Sequence, residues 1–210
     1  MKPPLRVSVF LDYACPFCYI GSARLLRLED RYDLRVNWAY IELHPETPPA
    51  GQAPGEPGYA PEQLSVIDES LAALAAADAL PLVTRSRVPN TRLALRLAEA
   101  AKEQGREPFY RLHRTLFHAH FADGRDIGDA HVLRAIVAAC DLPDDLPDRA
   151  WGVNPALDAR FARYRAFAAA AGTRSVPTYV FGPQILIGVQ SLETLYDAAQ
   201  TLTTSAATDP

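Results

Sequence analysis

Cysteine is scarce in this chain: three residues among 210, at positions 15, 18 and 140. That is too few for a structural disulfide framework and argues against a small secreted scaffold. No apolar run approaches the roughly 20 residues that a membrane-spanning helix needs, so no membrane partner is expected. Positive charge is not in surplus either, with 21 Lys and Arg against 25 Asp and Glu, a net charge of −4 and a pI near 5.7. Nothing in that balance marks a nucleic-acid-binding surface. The opening residues Met1-Lys2-Pro3-Pro4-Leu5 enter a strand pattern without an h-region or cleavage site, so the expected location is cytoplasmic. No internal repeat is visible. What remains is a chain with 49% hydrophobic and 22% charged residues, able to bury a core as one domain or one domain with a large insertion.

The cysteines that are present are informative by position. Cys15-Pro16-Phe17-Cys18 follows a short apolar strand and opens a helical stretch. Two cysteines three apart at a helix start place both sulfurs on its first turn, where the unpaired N–H groups and the positive end of the macrodipole favour a thiolate. Pro16 suits the first helical position because its missing N–H has no partner there to lose. This arrangement points to thiol–disulfide exchange. A C-x-x-C pair is also half of a zinc site. The missing ligands would have to come from Cys140, His44, His113, His118, His120 or His131, and no second C-x-x-C or H-x-x-x-H pair exists. His113 and His120 fall on an apolar helical face with Phe109, Leu112 and Leu116 and read as packing residues. Cys140, at the end of an apolar helix, reads as an inert buried thiol.

The periodicities give an order of elements. Leu5–Leu11 alternates as a strand, a helix runs from Pro16 to about Tyr32, and Leu34–Tyr40 alternates again, making a β-α-β unit. From His44 to Pro61 the chain carries six of its eighteen prolines and reads as a long loop. Helices are then expected over 61–79, from Asn90-Thr91 to Gly105, over 108–122, from the cap Asp129 to Cys140, and from Asn154-Pro155 to Gly172. Thr178–Phe181 and Ile185–Ile187 around Gly182-Pro183 read as a hairpin. A last helix is expected from Ser191 to about Leu202, followed by a frayed tail.

The order β-α-β, helices, β-β-α resembles a thioredoxin-like α/β sheet interrupted by an all-helical insertion, the architecture of the DsbA family. The resemblance is carried by Phe10-Leu11-Asp12 with Cys15-Pro16-Phe17-Cys18-Tyr19-Ile20-Gly21, by Glu42-Leu43-His44-Pro45, by Pro89-Asn90-Thr91, by Gly124–Asp129, and by Ser175-Val176-Pro177-Thr178-Tyr179-Val180-Phe181. It is most similar to the FrnE-like branch, related to kappa-class glutathione transferases and 2-hydroxychromene-2-carboxylate isomerases. The expected division is a thioredoxin-like domain of residues 1–59 and 154–210 with a helical insertion of 60–153.

The resemblance implies that Cys15 attacks and Cys18 resolves, and that Pro177 is a cis-proline beside the pair. The backbone of Val176 would then be free to pair with an extended substrate in β-fashion. Pro16 and Phe17 would border that substrate, and Asn90, first of all a helix cap, would approach the thiol site. Asp12 reads as a cap of the turn before the helix, with proton shuttling to Cys18 as the alternative. No metal or organic cofactor is implied. The redox-active Cys15–Cys18 disulfide serves in that place, with glutathione as a candidate co-substrate. Expected partners are proteins or small molecules bearing thiols or disulfides, and the chain would act as a monomer or homodimer. The Pro-Phe dipeptide lacks the imidazole of the strongly oxidising periplasmic relatives, so a weaker oxidant is expected. Two other classes remain open at this point. One is a glutathione-dependent isomerase or transferase on the same fold, whose members typically carry serine in place of Cys15. The other is a non-enzymatic metal-binding or interaction module.

Overall fold

The computed structural model describes residues 2–53, 61–84, 87–173 and 175–208. Within them the elements run β1 (Pro4–Leu11), α1 (Pro16–Leu26), β2 (Asp33–Tyr40), α2 (Pro61–Ala77), α3 (Arg92–Ala101), α4 (Arg106–Phe121), α5 (Ala130–Ala139), α6 (Leu146–Trp151), α7 (Pro155–Ala170), β3 (Thr178–Phe181), β4 (Gln184–Ile187) and α8 (Leu192–Thr208). Two compact units result: Met1–Ile41 with Phe161–Pro210, and Glu42–Arg160.

The first unit is a mixed α/β layer around a sheet of order β2-β1-β3-β4. β1 and β2 pair in parallel from Pro4↔Asp33 to Leu11↔Tyr40, while β3 runs antiparallel to both β1 and β4. The alternation read in β1 decides its two faces. Leu5, Val7, Val9 and Leu11 are buried on one side, and Phe10 is fully buried on the other. Phe10 packs with Ala39 and Ala168, its ring 4.9 Å from that of Phe167, so the second half of α7 covers this part of the sheet. Leu195, Ala198 and Ala199 of α8 are buried as well, and α8 contacts β1, β3 and α1. Each buried Val, Leu or Phe side chain contributes about 1.5–3 kcal/mol through burial, the alanines less.

The second unit is helical. The apolar face of α4 buries Phe109, Leu112, Leu116, Phe117 and Phe121, and α3 buries Leu95, Leu97 and Ala98. α3 and α6 are tied by Trp151 Nε1 donating to the Leu93 carbonyl at 3.0 Å and Arg96 Nε donating to the Ala150 carbonyl at 2.8 Å.

The units begin and end elsewhere than at the sequence boundaries. The expected boundary at 59/60 lies outside the described residues. The chain enters the helical unit at Glu42 because the proline-rich stretch is anchored there: Gln52 and Val88 form a β-bridge, and Arg92 pairs with Glu42 at 3.2 Å. At the other end the division falls after Arg160 rather than at 153/154. The first turns of α7 are held in the helical unit by Arg160 Nη2 donating to Glu103 at 2.8 Å and by the Arg96–Asp158 ion pair. Other departures are local. α1 passes into a 3-10 turn at Arg27–Asp30, α6 has no counterpart in the sequence reading, and α8 continues to Thr208 where fraying was expected. Among the described residues, no helix is long and apolar enough to cross a membrane.

Candidate active site

The site is built where β1 turns into α1. Asp12 closes that turn twice: its side chain accepts from Ala14 N–H at 3.1 Å, and its carbonyl accepts from Cys15 N–H at 3.2 Å. This is the capping role read for it from the sequence, and the Asp12 side chain is fully buried. Cys15 follows in extended conformation (φ −86°, ψ 113°) as the N-cap of α1, with Pro16 at its first position. The Cys18 N–H donates to Cys15 Sγ at 3.2 Å. A sulfur therefore occupies the place where helices usually put a serine, threonine or aspartate oxygen. A negative sulfur is the better acceptor there, since it faces the free N–H groups and the positive end of the helix.

Both thiols are free, Cys15 at 6% exposure and Cys18 at 1%. Burial pushes the Cys18 thiol well above its ordinary range, reinforced by the hydrogen bond and charge of Cys15. The Asp12 backbone opposes the shift and the Asp12 carboxylate adds to it. The pair is thus asymmetric: Cys15 is at the helix mouth and Cys18 is beneath it.

The loop before β3 meets this turn. The Cys15 thiol points to the Val176 carbonyl at 3.6 Å, and the Val176–Pro177 peptide is cis. Two buried threonines hold the loop in shape. Thr178 Oγ1 donates to the Ser175 carbonyl at 2.6 Å, the Thr173 and Thr178 hydroxyls lie 3.1 Å apart, and Thr173 Oγ1 accepts from Ser175 N–H at 3.2 Å. The sequence marks Thr178 only as part of the motif and strand after Pro177, and gives no signal for Thr173. β4 adds a tie through Gly188 N–H, which donates to the Pro177 carbonyl at 2.8 Å.

Of the residues singled out from the sequence, Cys15, Pro16, Phe17, Cys18, Val176 and Pro177 all lie in the first unit, Phe17 partly exposed on the first turn of α1. Asn90 belongs to the second unit. Its amide donates to the Thr47 carbonyl at 2.6 Å, and its side-chain oxygen accepts from Arg92 N–H at 3.1 Å, which starts α3. His113 and His120 are buried in packing contacts: His113 stands 5.2 Å edge-on to Phe117, and His120 Nδ1 is 3.3 Å from the Arg125 carbonyl. Cys140 is buried, its thiol 3.5 Å from Thr115 Oγ1. Among the described residues, no three His, Cys, Asp or Glu side chains group so as to hold a metal ion.

The profile of the DSBA-like thioredoxin domain matches residues 6–200 of the chain. The chain belongs to that family. Its relatives of known structure bear out the DSBA-like architecture end to end. The probable DsbA oxidoreductase SCO1869 of Streptomyces coelicolor superposes with a TM-score of 0.83 at 26% identity, covering 98% of this chain and 92% of that one. A 2-hydroxychromene-2-carboxylate isomerase gives 0.76 at 22% identity, over 97% and 98%. The cytosolic disulfide reductase DsbM of Pseudomonas aeruginosa, also solved with GSH, gives 0.68 at 17% identity, over 97% and 99%. The DSBA-like fold therefore holds across neighbours named for different activities, so the fold alone does not choose among them.

Proposed function

We propose that this DSBA-like protein is a thiol–disulfide oxidoreductase or isomerase working through Cys15 and Cys18. The observation that carries the reading is the pairing of a helix-capping Cys15 sulfur with the Val176 carbonyl at 3.6 Å, above a buried Cys18. In the reducing direction the Cys15 thiolate attacks a substrate disulfide, and one substrate sulfur leaves as a thiolate. Cys18 then gives up its proton and attacks Cys15, releasing the second substrate thiolate and leaving the Cys15–Cys18 disulfide. Two equivalents of a small thiol such as glutathione return that disulfide to the dithiol, leaving as their own disulfide. Run in reverse, the same steps oxidise a dithiol substrate.

The roles follow from position. Cys15 attacks because its sulfur is at the helix mouth, and Cys18 resolves because it is within reach of Cys15 and shielded from substrate. Val176 and Pro177, with Pro16 and Phe17, form the substrate border. Asn90 is assigned to the substrate side on the family resemblance alone. Partners are proteins or small molecules with accessible thiols or disulfides, met in a reducing, cytoplasmic compartment. The reading as a glutathione-dependent isomerase or transferase on the same fold is disfavoured by the intact cysteine pair.

Reduction of insulin disulfides with a thiol as reductant tests the proposal. Cys15→Ser should lose essentially all turnover above the background of the thiol alone, and Cys18→Ser should accumulate mixed disulfide at Cys15. Unchanged turnover in Cys15→Ser defeats the reading.

A further inference from the structure

Tyr179 on β3 is paired with Val9 and Leu186 and is wholly buried, yet its hydroxyl meets no hydrogen-bond partner among the described residues. An unpaired buried hydroxyl destabilises a fold, and phenylalanine would fill the same space without it. The helix above makes room for that oxygen. Gly21 sits inside α1, where glycine is a poor helix former, and a β-carbon there would stand 2.1 Å from the Tyr179 oxygen. Gly21 is three residues from Cys18, so both belong to one helical face, with neighbouring β-carbon positions about 5–6 Å apart. The glycine thus admits a hydroxyl one turn from the buried sulfur.

Resting on the redox reading above, we propose that the Tyr179 hydroxyl donates a hydrogen bond to the Cys18 thiolate that forms whenever the Cys15–Cys18 disulfide opens. When a substrate thiolate attacks Cys15 Sγ, a new S–S bond forms there. The Cys15–Cys18 bond breaks and its electron pair goes to Cys18 Sγ. In the reverse step Cys18 must be a thiolate to displace the substrate sulfur from Cys15. The charge appears in a buried place in both cases, and a fixed donor favours it. The hydroxyl finds its partner only in those states.

The electrostatics agree with a donor that keeps its proton. Burial raises the Tyr179 phenol far above its ordinary range, with Cys18 and then Cys15 adding to the shift and Arg24 opposing it. The ionisable groups facing the Cys18–Tyr179 pair are Cys15, Asp12 and Arg24, the last donating to the Gln190 carbonyl at 2.8 Å.

Stopped-flow reaction of the reduced protein with Ellman's reagent tests this. The first release of thionitrobenzoate reports Cys15 attacking the reagent. The second, independent of reagent concentration, reports Cys18 displacing the thionitrobenzoate from Cys15. Tyr179→Phe should leave the first phase within twofold of wild type. The second should slow about tenfold near neutral pH, with its pH midpoint raised by about one unit. The melting temperature of reduced Tyr179→Phe should not fall, because only an unpaired hydroxyl is lost. Gly21→Ala, which must push the hydroxyl aside, should give the same shift and carries the test should phenylalanine at 179 not fold. Added to Tyr179→Phe it should change little more, the new β-carbon then facing Pro177 Cγ at 3.3 Å and ring carbon Cζ at 3.4 Å. Second-phase profiles that superimpose overturn the inference, as does equal slowing of both phases. A wild type with no second phase at all defeats the redox reading instead.

Discussion

A cysteine that caps its own helix ties structure to reactivity in one atom. Cys15 Sγ accepts the Cys18 N–H, so any change that draws the sulfur into a bond makes it a poorer acceptor and weakens the cap of α1. His113 shows the opposite case, a titratable group held inert by packing. Burial is the main cause that lowers its pKa to about 3 from 6.5, with Arg114 and Lys102 adding to it. The folded chain therefore binds fewer protons than the unfolded chain at any pH between those values. Stability from this group is complete above about pH 6.5 and falls as pH drops toward 3, below which both states are protonated. The loss should reach about 2 kcal/mol by pH 5. Urea unfolding at pH 7 and pH 5 checks this: the wild type should lose that amount and His113→Phe should lose clearly less. An equal acid loss in both would place the titrating group elsewhere.

At the scale of elements, helix starts carry their own chemistry. Asp129 caps α5 with one oxygen, accepting from His131 N–H at 2.7 Å and Val132 N–H at 3.4 Å. Asp129→Ala should lower stability by about 1 kcal/mol, a melting shift of roughly 2–4 °C, while Asp129→Asn stays near wild type. A calorimetric scan showing no difference between the two variants would mean the cap does not hold α5. Such starts were legible in the sequence because the signal is local. Asn154 accepts from Leu157 N–H at 3.0 Å ahead of Pro155, and Thr178–Phe181 is a strand as its alternation says. Where the signal is tertiary, the reading failed. α6 is short, and what holds it is the bonding of Trp151 and Ala150 to α3, which no periodicity records. The stretch from His44 to Pro61 reads as a long loop because it is rich in proline, yet its described part is anchored from far along the chain, Thr47 by Asn90 and Gln52 by Val88. The Thr173–Thr178 latch is of the same kind: two ordinary hydroxyls whose meeting depends on a loop path.

For the whole molecule, electron transfer and folding are linked, so a substitution on the first turn of α1 must register in global stability. The cysteine pair and the Val176-Pro177 loop were readable because a short motif fixes them. The redox poise was not, because it depends on how the folded state weighs a free Cys15 sulfur against a bonded one. Phe17 offers no charged donor to that sulfur. A histidine there would, when protonated, favour the reduced, folded protein over the oxidised one. The couple should therefore be less oxidising than DsbA's, about −120 mV, and Phe17→His should raise its potential by roughly 30–60 mV. At about 1.4 kcal/mol per 30 mV, the same substitution should increase the unfolding free energy of the reduced protein over the oxidised one by about 1.4–2.8 kcal/mol. Equilibration against glutathione gives the first quantity and denaturant unfolding of each redox form the second. The two must agree, since the unfolded chain has lost the arrangement that distinguishes Phe17 from His. A shifted potential without the matching stability difference would mean that position 17 acts on the unfolded pair, and that the helix mouth does not set the poise.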